Sequence, residues 1–145
     1  MDVDYFDIFY SHRFDPDTPL EETLGALNTA VQQGKALYVG ISSYSSQQTQ
    51  EAVEICKQNR WANIIIHQPN YSMFNRWIED RLTDACGETG VGIIAFCPLF
   101  QGLLTNKYLN GVPKDSRAEH SPGLLRPDEL IDGVLDVVKL SLIHI

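Results

Sequence analysis

Four short apolar runs occur along the chain, and each leads into a stretch whose apolar residues have helical spacing. The runs cover residues 6–10, 37–41, 64–66 and 93–96. Strands that alternate with helices are typical of parallel βα units, and these runs recur at about the 30-residue length of one unit. The pattern predicts an α/β fold, a fragment of a (β/α)8 TIM barrel with about half of the eight units that close one.

Capping residues predict where the helices begin. Thr18 is predicted to cap the first helix, with Pro19 at its first position and Glu21 completing a capping box. Later helices are predicted to begin near Ser45 (with Gln48 three residues on), near Asn75 and near Pro127. Each strand would then be followed by a helix that covers one face of the sheet.

Polar side chains lie beside the ends of the apolar runs. His12 follows the first run, Ser42 and Ser43 the second, His67 and Gln68 the third, and Cys97 the fourth. In a βα barrel the carboxyl ends of the strands hold the ligand and the chemistry. Residues 98–126 are rich in glycine and proline, so we predict a binding loop over the same end of the barrel.

Composition narrows the class of partner. The 145 residues are 43% hydrophobic and carry a net charge of −8, which disfavours nucleic acid because phosphate binding needs a basic surface. No apolar run reaches the ~20 residues of a membrane span, and no zinc-ligand spacing is present, so we predict neither a membrane nor a metal partner. Three separated cysteines without a signal peptide indicate reduced thiols and a cytoplasmic protein. We interpret them as buried structural thiols; the alternative is one reactive thiol, for which Cys97 is the candidate.

The last six residues differ from the rest. Residues 140–145 read LSLIHI, carry no cap, turn or charge, and match the translation of a common sequencing adapter. We therefore expect a partial barrel domain over residues 1–139, followed by a non-native tail.

Four segments carry specific motifs in a fixed order: residues 7–12 (DIFYSH), 34–43 (GKALYVGISS), 67–75 (HQPNYSMFN) and 94–108 (IAFCPLFQGLLTNKY). Together they resemble the aldo-keto reductase superfamily. The branch they resemble contains bacterial glyceraldehyde-3-phosphate-type aldehyde reductases and potassium-channel β subunits.

The resemblance implies a (β/α)8 barrel that binds NADPH (NADP+) across its carboxyl face, with this chain at about strands four to seven. It implies reduction of small aldehydes or ketones to alcohols by direct hydride transfer. His12 matches the histidine of the family's catalytic Asp, Tyr, Lys and His, whereas the other three, and the adenosine-binding segment, match no residue here. We therefore expect the isolated chain to be inactive, and its open sheet edges to make it marginally stable.

The resemblance also implies which residues hold the cofactor. Ser42, Ser43 and Gln68 match the positions on the nicotinamide carboxamide, and Phe96 matches the aromatic residue that stacks on the ring. The remaining matches lie on the pyrophosphate loop and its continuation: Cys97, Leu99, Gln101, Lys107, Ser116 and Arg117.

Two other functions stay open. One is a channel-β-like module that senses nicotinamide redox state, although channel β subunits tend to carry Asn where this chain has His12. The other is an unrelated TIM-barrel isomerase or hydrolase. We expect a small carbonyl substrate and, for the full-length protein, a possible homo-oligomer. His67 and His120 are interpreted as structural or surface histidines.

Overall fold

The computed structural model describes residues 3–114, 116, 119 and 132–143. Strands and helices alternate, as the hydrophobic pattern predicts. The strands are β1 (Phe6–Ser11), β2 (Ala36–Ser42), β3 (Ile64–Gln68) and β4 (Gly92–Ile93). The α-helices are α1 (Leu20–Gln32), α2 (Ser46–Asn59), α3 (Leu82–Thr89) and α4 (Asp132–Ile143), and short 3₁₀ helices lie at Trp77–Glu79, Phe100–Gly102 and Asn106–Tyr108.

The strands form one parallel sheet in the order β1-β2-β3-β4. Parallel neighbours in chain order, connected by helices, are consecutive βα units of a barrel wall. The prediction of an α/β fragment of a (β/α)8 barrel is therefore confirmed. Within the described residues β1 and β4 each pair with one strand only, so the sheet has two open edges.

The fourth strand is shorter than predicted. Regular pairing covers Gly92–Ile93 instead of residues 93–96. Beyond it, Ile94 N donates to His67 O (3.0 Å) and Phe96 N donates to Pro69 O (3.0 Å). Because Pro69 has no amide hydrogen to donate in return, the ladder is interrupted before Phe96.

The predicted cap of the first helix is wrong. The Thr18 hydroxyl donates to Asp15 Oδ2 (2.7 Å), and the Asp17 amide donates to Asp15 Oδ1 (3.0 Å). Asp15 therefore engages Thr18 in the preceding turn, as short acidic side chains do when they compete for local donors. Helix α1 begins at Leu20 instead, with Pro19 before it and no side-chain cap.

The second helix begins as predicted. Ser45 Oγ accepts from Gln48 N (3.2 Å), and Gln48 Oε1 accepts from Ser45 N (2.8 Å), which forms a capping box directly after β2. The helix predicted from Asn75 is wrong in its start: a 3₁₀ turn precedes α3. The Glu79 carboxylate of that turn accepts hydrogen bonds from Arg76 and Tyr71, which anchors the turn separately from α3.

Helix α4 continues through residue 139 to Ile143. Its predicted start near Pro127 lies outside the described residues, as do His120, Arg117 and residues 144–145. The boundary at residue 139 and the non-native tail stay predictions. None of the described helices is long and apolar enough to cross a membrane.

The chain divides into two compact units. The first contains the residues up to Tyr71 and Asn75–Phe96, and the second contains Ser72–Phe74 and the residues from Cys97 onward. The first unit buries a core between the sheet and its helices, which includes Leu24, Leu27, Val39, Ile41, Ala52, Cys56, Leu82 and Cys86. The second buries a smaller cluster of Leu103, Leu104, Tyr108 and Val138.

The sheet face away from the helices is only partly covered. Paired residues of parallel strands lie on the same face, and Ile8 pairs with Tyr38 while Tyr10 pairs with Gly40. Tyr38 on this face is 51% exposed. A Cβ on Gly40 would lie 2.5 Å from the Tyr10 ring, so any larger residue at this position would force that ring to move.

We predict that Leu24→Ala destabilises the 145-residue chain by about 2–5 kcal/mol, because Leu24 is 1% exposed in the core of the first unit. Leu37→Ala removes the same atoms from a side chain that is 51% exposed and should cost less than about 1 kcal/mol. Urea unfolding measures both. Equal losses would contradict the placement of Leu24 in the core.

Candidate active site

The sheet brings the predicted site residues of the first unit together at the carboxyl ends of its strands. Ser42 pairs with Gln68 at the ends of β2 and β3. Ser11 pairs with Ile41, so His12 and Ser42 are the next residues on their adjoining strands. Phe96 forms a parallel bridge with Asn70, two residues beyond Gln68. Four strand ends therefore bring a histidine, a serine, an amide and an aromatic ring to the carboxyl edge.

The same residues share one face of the sheet. Gly40 pairs with Ile66 and Ser42 pairs with Gln68, and side chains alternate between faces along a strand. Ser42 and Gln68 therefore lie on the face of Gly40, away from the helices. His12 continues the alternation that places Tyr10 on that face and is exposed. In a barrel this face is the interior, so these side chains could contact a ligand bound at the carboxyl end of the barrel.

Ser42 is buried, and its hydroxyl already has a partner. Ser42 Oγ donates to the Gln68 backbone oxygen (2.7 Å) and lies 3.5 Å from Ser43 Oγ. With its proton engaged, Ser42 can still accept a hydrogen bond, whereas the Gln68 amide can both donate and accept. Ser43 is exposed and has a φ of 59°, a left-handed conformation that is uncommon for a residue other than glycine.

Phe96 is held by backbone hydrogen bonds on both sides. Its amide donates to Pro69 O (3.0 Å), and its oxygen accepts from Tyr71 N (3.3 Å). The residue is half-buried, so part of the ring stays available for contact. Phe96 lies outside the regular ladder, beyond the interruption at Pro69, but these two hydrogen bonds still fix its backbone.

The second unit contains the predicted pyrophosphate loop in a tightly folded conformation. Cys97, Phe100 and Gln101 have φ values of 54°, 45° and 59°, and Gly102 has 97°. Non-glycine residues held in this region are often found at functional sites. The amides of Phe100 and Gly102 bond within the loop, to Cys97 O and Leu99 O. Because these two amides already have partners, a ligand would be bound mainly by side chains of the loop.

Two predicted cofactor residues in this unit have buried oxygens without a partner. Among the described residues, Gln101 Oε1 and Ser116 Oγ are buried and accept or donate no hydrogen bond. Asn70 Oδ1 and Tyr108 Oη share this property. Because buried polar atoms are nearly always paired, the Ser116 hydroxyl could donate to a ligand oxygen such as that of a phosphate, whereas Gln101 Oε1 could only accept from a ligand donor.

The other predicted residues of the loop are more open. Lys107 is exposed, and its ammonium lies 5.5 Å from the Tyr108 ring centre. Leu99 is 53% exposed, and Cys97 is half-buried. Arg117 lies outside the described residues. In the described part of the chain, no group of three or more His, Cys, Asp or Glu side chains could hold a metal ion.

The thiols differ in burial. Cys56 and Cys86 are buried, which raises the pKa of Cys56 to about 11 and also raises that of Cys86. A thiol with a raised pKa is poorly nucleophilic, which agrees with the structural role expected of both. Cys97 stays the candidate for the alternative of one reactive thiol.

A line of hydrogen bonds runs behind the site, on the helix side of the sheet. We name it the buried polar chain, and its members are Ser11, Tyr44, His67 and Thr49, all of which are buried. Ser11 Oγ donates to Arg13 O (3.3 Å), so it accepts from Tyr44 Oη (2.9 Å). The Tyr44 amide donates to His67 Nε2 (3.2 Å).

The far end of the buried polar chain fixes the tautomer of His67. Thr49 Oγ1 donates to Ser45 O (2.8 Å) and lies 3.3 Å from His67 Nδ1. Because its one proton is already engaged, Thr49 Oγ1 must accept a hydrogen bond from the N–H at Nδ1. Nε2 accepts from Tyr44, and His67 is therefore neutral with its proton on Nδ1. Burial lowers the pKa of His67 from 6.5 to about 4. The sequence predicts a structural or surface histidine at this position; the burial of His67 excludes a surface histidine, and a structural role stays a prediction.

Sequence reasoning missed the links that His67 makes. The available signal was its position directly before Gln68, at the end of a buried strand. That signal does not reveal that the ring reaches the turn after β2, because the pairing of β2 with β3 has to be known first.

We predict that His67 makes the chain acid-sensitive. Between pH 6.5 and about pH 4, the His67 imidazole is protonated in the unfolded chain but stays neutral in the folded chain, because folding lowers its pKa from 6.5 to about 4. The free energy of unfolding should therefore fall as the pH falls through this window, by at most about 3 kcal/mol. His67→Gln, which cannot titrate, should show a flatter dependence in urea unfolding. Parallel pH profiles for the two proteins would refute this assignment.

Comparison with known proteins places these features in a family. The sequence model of the Aldo/keto reductase family matches residues 1–132. L-glyceraldehyde 3-phosphate reductase of Escherichia coli (strain K12) is 51% identical over 97% of this chain and 41% of its own length. Probable voltage-gated potassium channel β subunits of Oryza sativa subsp. japonica and Arabidopsis thaliana are 39% and 38% identical, over 36% and 43% of their lengths.

The chain thus spans less than half the length of the curated relatives it matches. The family model, in contrast, matches most of this chain, and the parallel sheet is the one that the family fold implies. An unrelated TIM-barrel isomerase or hydrolase is therefore excluded. The chain belongs to the aldo/keto reductase family.

Proposed function

We propose that this chain supplies part of the cofactor- and substrate-binding face of an NADPH-dependent reductase of small aldehydes or ketones. The observation that carries the proposal is the alignment of His12, Ser42 and Gln68 on one face at one edge of the sheet. Membership of the aldo/keto reductase family and the 51% identity to an aldehyde reductase support it. Cytoplasmic localisation stays a prediction.

NADPH, when bound, supplies the hydride, and a proton completes the reduction of the carbonyl to the alcohol. Ser42 and Gln68 are proposed to hold the nicotinamide carboxamide, Ser42 by accepting and Gln68 by donating or accepting a hydrogen bond. Ser43 lies beside them on the turn. Phe96 is proposed to cover one side of the ring with its aromatic face, which excludes water and fixes the ring plane.

His12 is proposed to orient the substrate. An exposed imidazole at the strand end can donate a hydrogen bond to the carbonyl oxygen and stabilise the charge that develops there. It does not replace the tyrosine and lysine of the family tetrad, which match no residue of this chain. The proton of the alkoxide is therefore proposed to come from the part of the barrel that this chain does not span.

The second unit is proposed to hold the pyrophosphate. Lys107 supplies an exposed ammonium for phosphate oxygens, and Arg117 is expected to add a second cation. The buried Ser116 hydroxyl is proposed to donate to a phosphate oxygen, and Gln101 is proposed to do so through its amide nitrogen. Cys97 and Leu99 are proposed to line the loop. Preference for NADPH over NADH, like the substrate (methylglyoxal or glyceraldehyde phosphate, for example), stays a prediction.

The proposed function is testable in a chimaera of the E. coli reductase in which residues 1–139 of this chain replace the matching segment, which we name the barrel chimaera. We expect it to bind NADPH and to reduce methylglyoxal. His12→Ala should lower kcat roughly 100-fold, because a donor to the developing charge is lost.

Arg13→Ala, at the exposed neighbouring position, is the matched control and should leave kcat within about twofold. NADPH oxidation followed by absorbance gives both values. A folded barrel chimaera that binds no NADPH would overturn the proposed function, whereas an unchanged kcat in His12→Ala would remove His12 from catalysis.

We predict that the 145-residue chain alone reduces no aldehyde with NADPH, because the proton donor of the family matches none of its residues. The purified chain should show the same NADPH oxidation as buffer, while the barrel chimaera is active in the same assay. Aldehyde-dependent turnover by the chain alone would contradict the proposal that the proton comes from a part of the barrel that this chain does not span.

A second candidate function is a redox-sensing module of the channel-β type. The matches to two probable plant channel β subunits favour it. His12 argues against it, since channel β subunits tend to carry Asn there. Specific capture of a voltage-gated potassium channel by the barrel chimaera, together with NADPH binding but no turnover, would favour this second function.

A further inference from the structure

The proposed site and the buried polar chain occupy opposite faces of the same strand ends. His12, Ser43 and Gln68 belong to the proposed site. Each is preceded or followed directly by a member of the buried polar chain: Ser11, Tyr44 and His67. His67 and Gln68 are neighbours within β3 and therefore point to opposite faces, while Ser11 and Tyr44 adjoin site residues at the ends of β1 and β2. Hydrogen bonds on the helix side therefore hold the backbone from which the site side chains project.

We propose that His67 is a positioning residue for cofactor binding, because it holds the turn that carries Ser42 and Ser43 against the end of β3. This inference rests on the proposed function. It means that a residue outside the proposed site sets the geometry of the contacts to the carboxamide. His67 touches neither cofactor nor substrate in this arrangement.

The turn needs such a restraint. Ser43 has a φ of 59°, which is strained for a side chain with a Cβ. On one side of it, Ser42 Oγ bonds the backbone oxygen of Gln68 (2.7 Å). On the other side, the Tyr44 amide bonds His67 Nε2 (3.2 Å). Both restraints tie the turn to β3, and the second depends on a single ring nitrogen.

The orientation of that nitrogen is itself fixed. His67 is fully buried, and Thr49 Oγ1 accepts from Nδ1 because its own proton goes to Ser45 O. The alternative tautomer would direct an N–H at the Tyr44 N–H and leave Thr49 without its donor. The threonine thus keeps Nε2 free to accept, and the capping box at Ser45 holds the threonine in place.

Two variants of His67 separate positioning from packing. His67→Gln places an amide oxygen near the position of Nε2, so it can still accept from Tyr44. His67→Asn is shorter and places its amide near Nδ1, so it can bond Thr49 but leaves the Tyr44 amide unpaired. Both remove the imidazole from the core, and both should destabilise the fold.

In the barrel chimaera we expect His67→Asn to weaken NADPH binding roughly tenfold, the effect of losing one buried hydrogen bond. His67→Gln should stay within about threefold of the unsubstituted barrel chimaera. Fluorescence titration gives the Kd values, and urea unfolding gives the loss of stability. Equal Kd values for the two variants would overturn the inference, since a purely structural role affects both alike.

The unsubstituted barrel chimaera separates the two proposals. If it binds no NADPH, the proposed function fails and the inference fails with it. If it binds NADPH while the variants do not differ, only the inference fails.

A measurement on the unsubstituted 145-residue chain covers the case in which neither variant folds. Nitrogen NMR of the His67 ring should show a proton on Nδ1 and none on Nε2. A proton on Nε2 would overturn the inference, because that ring could not accept from the Tyr44 amide.

Discussion

The parallel pairing of β2 with β3 is the constraint on which the rest of this molecule depends. It sets Ser42 opposite Gln68, and one position earlier it sets Ile41 opposite His67. A shift of the register by one residue would exchange the two faces of β3. Gln68 would then point to the helices, and the His67 imidazole would lie on the open face, where neither Tyr44 nor Thr49 could reach it. One register therefore determines both the proposed site and the hydrogen bonds behind it.

Much of the fold could be predicted because its signals are local. The apolar runs gave the four strands, and Ser45 with Gln48 gave the start of α2, since both partners of that capping box are close in sequence. The start of α1 could not be predicted in the same way, because Asp15 competes for Thr18. The short β4 depends on Pro69, the residue directly after β3, and this effect of Pro69 can be seen only once the pairing of β3 with β4 is known.

The candidate site was predictable for a different reason. Strand ends and motif resemblance located His12, Ser42, Gln68 and Phe96 without any knowledge of contacts, because parallel strands bring their ends to one edge. Neither signal reveals what holds these residues. The engaged proton of Ser42, the left-handed Ser43 and the tautomer of His67 all depend on contacts between residues far apart in sequence. Sequence thus indicated a candidate site, and the structure showed which of its atoms remain available for hydrogen bonds.

The close approach of Tyr10 to Gly40 has a consequence for how this sheet can vary. The ring occupies the space where any side chain at position 40 would begin. A larger residue at position 40 is compatible with the fold only if the Tyr10 ring moves aside or residue 10 becomes smaller. Positions 10 and 40 thus couple β1 to β2 through packing, in addition to the hydrogen bonds of the ladder.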